Sequence, residues 1–258
     1  MKAYEVAEII EKTAPRKLAM KWDNVGFMIG DPNREVKRIL TALDVTSQTA
    51  EQAVSMGCDM ILSHHPMFFD GIKAIDFSTP EGDTVRRLVS ENIAVYACHT
   101  NMDCAAGGIN DYLADLFELS EVSVLEENPD FPGTGIGRLG TLPESMDIKT
   151  LCSIVKSRLN TPFVRVISGT QKSIKRVAVA SGSCAEYIPL ALKKGADAIV
   201  TADMKYHDSL TASEYDIYVI DAGHYPTEFV VTDIFEKLLR DTGIELCRSN
   251  ADDVFKLF

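Results

Sequence analysis

Arg38 to Pro66 reads RILTALDVTSQTAEQAVSMGCDMILSHHP. An apolar run of strand length, 38–45, is followed by Thr46 where a helix N-cap belongs and by Gly57 where a C-cap belongs. A second apolar run, 58–65, closes the unit and ends on two histidines. Strands that are apolar on both faces and separated by a helix argue for parallel pairing under helical cover. Working outward, the sequence predicts a helix over 79–92, a strand over 93–100 and a helix over 109–119. The Pro/Gly-rich stretch NPDFPGTGIG (128–137) marks a break. Beyond it the pattern predicts strands at 138–142, 163–168, 176–182, 196–203 and 217–223, and a last one near 244–249. Helices are predicted at 147–159 and 184–194, and a long amphipathic one at 226–242. The expected fold is α/β, with two lobes of helices packed on mixed, mostly parallel sheets. The first lobe is 1–122 with 217–258, and the second, 123–216, is inserted into it. The halves repeat the alternation loosely, without a fixed period.

Composition narrows the function classes. The 258 residues carry 26 Lys+Arg against 38 Asp+Glu, a net charge of −12. Such a chain repels nucleic-acid backbones and anionic lipid, and no basic patch offsets that charge, so neither partner is expected. No apolar run reaches the roughly 18 residues of a membrane span. The start, MKAYEVAEIIEKTAP, lacks a signal-peptide core, so a cytoplasmic protein is expected. Six cysteines without C-x-x-C spacing read as small buried hydrophobes rather than a disulfide framework or zinc knuckle.

The five histidines carry the chemical signal. His64 and His65 end one predicted strand, His99 lies near the end of another, and His224 directly follows a third. In open α/β sheets, ligands bind beyond the carboxyl ends of the strands. Adjacent side chains of an extended chain point to opposite sides, so His64-His65 suits two metals better than one. The alternative for the same pair is one buried and one exposed imidazole. Asp103, in HTNMD (99–103), falls in the loop just past a strand and reads either as a ligand or as a turn cap. In GHYPTE (223–228), Pro226 sits in the favoured first turn of a helix, and His224 and Glu228, four apart, project to one side. The alternative is a plain helix start with an acidic first turn. Together His64, His65, Asp103, His224 and Glu228 give three imidazoles and two carboxylates, more than one tetrahedral site with an open position needs. They fit two divalent ions (Zn, Mn, Fe or Ni) about 3.5–4 Å apart, a pair that supplies hydroxide near neutral pH. His99 and His207 remain as proton-relay or substrate-holding residues, or as hydrogen-bonded or surface histidines. Ser181-Gly182-Ser183 offers amides that can cradle a phosphate. Trp22-Asp23-Asn24-Val25-Gly26 reads as a structural turn.

WDNVG (22–26), SHHPMFF (63–69), HTNMD (99–103), GIGRLG (135–140), TADMKYHD (201–208) and GHYPTE (223–228) occur in that order. In this order they resemble the dinuclear-metal GTP cyclohydrolase 1 type 2 homologues, the NIF-three-like family. Met67 and Met102 stand where Leu is frequent there, which leaves the ligands intact. The resemblance implies a two-lobed α/β fold, a toroidal homohexamer and a metal pair held by His64, His65, Asp103, His224 and Glu228. It also implies a metal-dependent hydrolase, in which metal-bound hydroxide attacks a purine nucleotide such as GTP and formate is released, with His99 or His207 moving protons. The alternatives are a hydrolase of another small metabolite and a non-enzymatic metal-binding, metal-delivery or ring scaffold protein. Neither G-x-x-x-x-G-K-[ST] nor G-x-G-x-x-G occurs to single out a nucleotide.

Overall fold

The elements follow the sequence's punctuation closely. A computed structural model of the chain describes residues 1–167, 169–170 and 173–256. Its strands are β1 Gly26–Ile29, β2 Arg38–Ala42, β3 Met60–Ser63, β4 Ala94–Ala97, β5 Ser120–Glu127, β6 Gly135–Met146, β7 Arg165–Ile167, β8 Ile174–Ser183, β9 Ala198–Ala202, β10 Tyr218–Asp221 and β11 Glu245–Arg248. Its helices are α1 Ala3–Thr13, α2 Ser47–Ser55, α3 Pro80–Ser90, α4 Thr100–Cys104, α5 Ile109–Leu116, α6 Ile148–Arg158, α7 Ile188–Lys193, α8 Tyr206–Ala212, α9 His224–Glu228 and α10 Val231–Leu239. The chain divides into two compact units, Met1–Met102 with Val231–Phe258, and Asp103–Val230.

In the first unit the strand order is β1-β4-β3-β2-β11. β4, β3, β2 and β11 run parallel, and β1 is antiparallel at the edge. β3 and β4 are buried along their whole length, as their apolar runs require. Thr46 caps α2 by accepting the Thr49 amide at 3.2 Å, and Thr79 caps α3 ahead of Pro80. Ala50 and Ala53 of α2 and Leu88 of α3 pack on Leu40, Ile61 and Val95 of the sheet. Register places Ala42 beside Ser63 and Ser63 beside Ala97, so the segments after β2, β3 and β4 leave from one edge.

In the second unit the order is β5-β6-β8-β9-β10-β7, with β8, β9 and β10 parallel and the other pairs antiparallel. Arg138, 2 % exposed, is ion-paired to Asp111 and also donates to the carbonyls of Ala105, Gly135 and Gly137. A buried cation persists only when its donors are met in this way.

The structure departs from the sequence reading in several places. The unit boundaries fall at 102/103 and 230/231 rather than at 122/123 and 216/217. β5 pairs with β6 and β10 pairs with β9, which carries 120–127 and 218–221 into the second sheet. The predicted helix 226–242 is broken into α9, α10 and a 3₁₀ turn at Arg240–Thr242, and the chain crosses between units at Val230. The break at 128–137 is a hairpin loop that ends at 134, because β6 already starts at Gly135. Of the predicted strand 163–168, β7 covers 165–167 and residue 168 lies outside the described residues. Among the described residues, no helix is long and apolar enough to cross a membrane.

Candidate metal-ligating clusters

At the carboxyl edge of the first sheet, His64 and His65 follow β3 and His99 follows β4. Their ring centres lie 5.1 Å apart for His64–His65, 5.1 Å for His64–His99 and 5.4 Å for His65–His99. Each offers a ligand atom within 4.8 Å of those of the other two. His64 is wholly buried, and His65 and His99 are partly exposed.

Each of the three rings has its Nδ1 against an acceptor. His64 Nδ1 meets the Cys98 carbonyl at 2.9 Å, His65 Nδ1 meets Asp44 Oδ1 at 2.7 Å, and His99 Nδ1 meets Asp23 Oδ1 at 2.8 Å. An imidazole donating from Nδ1 keeps its lone pair on Nε2, the tautomer a metal ion requires, and such outer partners also fix the ring's direction. Asp23, whose side chain is buried, further accepts the amides of Thr100 (3.0 Å) and Asn24 (2.7 Å) and the Thr100 hydroxyl. Burial alone would raise its pKa, but the bonds from His99 and Thr100 outweigh that and hold it below the ordinary carboxylate value.

The second unit carries Asp103, His224 and Glu228. Asp103 lies on α4 rather than in the expected loop, because the chain turns helical at Thr100, directly after His99. Its Oδ1 accepts the Ser181 hydroxyl of β8 at 2.9 Å, so it is not a local turn cap. His224 and Glu228 lie on α9 and meet directly, Nε2 to Oε2 at 2.7 Å. His224 Nδ1 meets Asp203 Oδ2, also at 2.7 Å. Asp203 follows β9 with φ +54, a left-handed conformation that a non-glycine residue rarely adopts and that aims its carboxylate at His224. Burial pulls the His224 imidazole down, but the hydrogen bonds and charges of Glu228 and Asp203 carry it up to about 9. The proton on Nε2 therefore occupies the position between two donors that a cation would take.

Ser181-Gly182 frames these side chains. The Ser181 amide donates to Asn110 Oδ1 at 2.9 Å and the Gly182 amide to Thr227 Oγ1 at 3.2 Å, so neither is left to cradle a phosphate. Gly182 has φ +63, and a Cβ there would lie 2.0 Å from Glu228 Oε1. The glycine is what leaves room for that carboxylate. His207 is exposed at the start of α8, its ring 5.4 Å from that of Tyr206, and it joins none of these clusters. The sequence reading takes Asp23 as part of a structural turn and Ser181 as part of a phosphate cradle, and it assigns none of Asp23, Asp44, Asp203 and Ser181 as a support of these side chains. Asp44 and Asp203 each stand just past a strand, one strand–helix–strand step before the histidine they hold, and that spacing is a usable signal.

The donor sets are imidazole nitrogen and carboxylate oxygen, which suit zinc, manganese, iron or nickel. They define a two-unit α/β protein equipped with clusters able to hold metal ions. The chain belongs to the Duf34/NIF3 (NGG1p interacting factor 3) family, which it matches over residues 1–253. It is 36% identical over 240 residues to the "GTP cyclohydrolase 1 type 2 homolog" of Clostridium acetobutylicum, covering 93% of this chain and 90% of that one. It is 33% identical to the protein of the same name from Clostridium perfringens, covering 99% of both chains. Among solved structures, a Bacillus cereus protein related to NIF3 superposes with a TM-score of 0.92 at 23% identity, covering 100% of this chain and 99% of that one. Reduced HcgD from Methanocaldococcus jannaschii does so with a TM-score of 0.85 at 28% identity, covering 97% and 98%.

Proposed function

We propose that this protein is a dinuclear-metal hydrolase that opens the imidazole ring of a purine nucleotide, with release of formate. His64, His65, Asp103, His224 and Glu228 ligate two divalent ions. The observation that carries the reading is the common treatment of the imidazoles. The three proposed imidazole ligands, His64, His65 and His224, each have Nδ1 anchored on an acceptor, the arrangement that directs Nε2 to a metal. A histidine serving only a hydrophobic core needs no such uniform outer partner. Glu228 and His224 already share one proton position, and both present lone pairs there once it is removed.

Held by these residues, two divalent ions would supply Lewis acidity that lets water act as a nucleophile near neutral pH. His99 handles protons in this scheme. Asp23 Oδ1, 2.8 Å from its Nδ1, fixes the direction of the ring and leaves Nε2 as the proton-handling atom. His207, exposed on α8, is a second proton-handling or substrate-contacting group. The names of the curated relatives support GTP as the first substrate to test. The family resemblance further supports a cytoplasmic toroidal homohexamer, about six times 28.4 kDa by light scattering.

The test is elemental analysis of protein purified without added metal, then formate release and the ultraviolet change from GTP, with other nucleotides in parallel. Two ions per chain and a turnover that chelator abolishes are expected. Turnover of another nucleotide with GTP inert keeps the hydrolase and changes its substrate. No turnover of any nucleotide by the fully metallated protein overturns the reading in favour of a metal-binding or scaffold role.

A further inference from the structure

The WDNVG turn does more than reverse the chain. Trp22, the only tryptophan, is 64% exposed, and its ring centre lies 5.9 Å from that of His99 at 72°. Phe69, 52% exposed, lies 5.7 Å from the same imidazole at 77°. Two large aromatic rings thus flank His99 while most of their surface faces solvent. Such exposure is costly unless something covers it.

These rings are not on loose loops. Asn24 Nδ2 donates to the Phe68 carbonyl at 2.7 Å, tying the turn that carries Trp22 to the segment that carries Phe69. Asp23 ties the same turn to His99 and Thr100, and the Met20 amide donates to Thr100 Oγ1 at 2.9 Å. The polar residues of the motif therefore lock the frame, and the aromatic residues are left outward on it. A rigid pair of exposed aromatic rings beside a hydrogen-bonding imidazole suits a flat, partly polar ring better than an aliphatic chain or a second protein surface. Stacking needs preset planar faces, and the imidazole offers the in-plane partner that a heterocycle requires.

We infer that Trp22 and Phe69 form the platform on which the heteroaromatic base of a nucleotide stacks, presenting the base to His99. This rests on the hydrolase reading for its choice of ligand, but it makes a claim about binding that turnover does not decide.

The single tryptophan reports the event directly. The metal-loaded wild-type protein is titrated with GTP, guanosine and ribose 5-phosphate while Trp22 emission is followed. The expected result is saturable quenching by GTP and guanosine and none by ribose 5-phosphate. Phe69→Ala keeps the reporter and is expected to weaken guanosine about tenfold or more, the size of one lost base–aromatic stack. Phe163→Ala, an exposed aromatic in the other unit, is expected to change nothing. If Phe69→Ala fails to fold by circular dichroism, Phe69→Leu replaces it, with the same loss expected. Nucleotide turnover without a change in Trp22 emission overturns the platform and leaves the hydrolase standing. Base-dependent quenching without turnover supports the platform and sinks the hydrolase. Emission already shielded in ligand-free protein, and becoming exposed on dilution, means a second copy covers the rings and overturns the inference.

Discussion

Replacing Gly182 by alanine separates the ligand framework from the fold. The residue sits at φ +63, where an L side chain costs about 1–2 kcal/mol. The new Cβ would stand 2.0 Å from Glu228 Oε1 and 3.0 Å from its Cδ, and His224 Cε1 is 3.4 Å away. Because the nearest atom is the end of a side chain, the clash is relieved by moving the carboxylate about 1 Å, with little further loss of stability. That same movement breaks the 2.7 Å contact with His224 Nε2 and displaces a proposed ligand. Disturbing even the outer partners of a metal site costs about 10–100-fold in affinity. The melting temperature should therefore fall by only about 2–8 °C, while metal affinity, measured by competition with a chromophoric chelator, should fall about 10–100-fold. Gly133→Ala is the control. It has a similar φ of +79 but open space around the added Cβ, so it should show the strain without the metal loss. A Gly182→Ala protein that binds metal within twofold of wild type would refute the assignment of Glu228.

Asp44→Asn and Asp203→Asn remove the charged partners of His65 and His224 and should each weaken metal binding about 10–100-fold by the same chelator assay. Unchanged affinity would deny these carboxylates an orienting role. Metal binding by the apo protein should tighten as pH rises from 6.5 to about 9, by up to roughly tenfold per unit, because the proton held on His224 up to about 9 must leave. A flat profile over that window would exclude His224 as a ligand. His99→Ala should lower turnover by about 10²–10⁴ with metal content unchanged, and loss of metal instead would make His99 a ligand. Arg138→Met should cost about 3–5 kcal/mol in denaturant unfolding, since it takes the ion-pair partner from Asp111, which keeps only the Gly107 amide, and removes the Arg138 donors to three carbonyls. A loss below about 1 kcal/mol would make this network dispensable.

The parts of the fold that the sequence displays are those whose signals are local. The β2-α2-β3 unit shows an apolar run, a threonine cap, a glycine stop and another apolar run within twenty-eight positions, 38–65, and the structure reproduces that order. β5 escapes because SEVSVLEE lies at a sheet edge and is exposed except near Leu125, so it has no buried face to write a period-two pattern. α8 is similarly exposed apart from Ala212. α1 is a different case, since its buried Ala3, Val6, Ala7 and Ile10 follow the helical period and so carry a local signal. Edge β1 depends on a pairing partner, β4, far along the chain, which no window of residues reveals.

The candidate ligands were legible because strand ends and helix starts are local features. Their supports were hidden because they act across the chain. His99 is held by Asp23 at a separation of 76 residues, and Asp103 by Ser181 at 78. The two exceptions point to a rule. Asp44 and His65 are 21 residues apart, and so are Asp203 and His224. Each aspartate follows one parallel strand, each histidine follows the next, and one helix connects them: β2-α2-β3 in the first unit and β9-α8-β10 in the second. A strand–helix–strand crossover returns the chain beside its starting strand in the same direction, so residues just beyond the two carboxyl ends become neighbours. The spacing that converts an isolated histidine into a directed one is therefore set by the length of a single crossover. An acid past one strand and a histidine past the next is a stronger sequence signature of a metal-directed imidazole than the histidine alone, because the fold that makes both strands parallel also makes their ends meet.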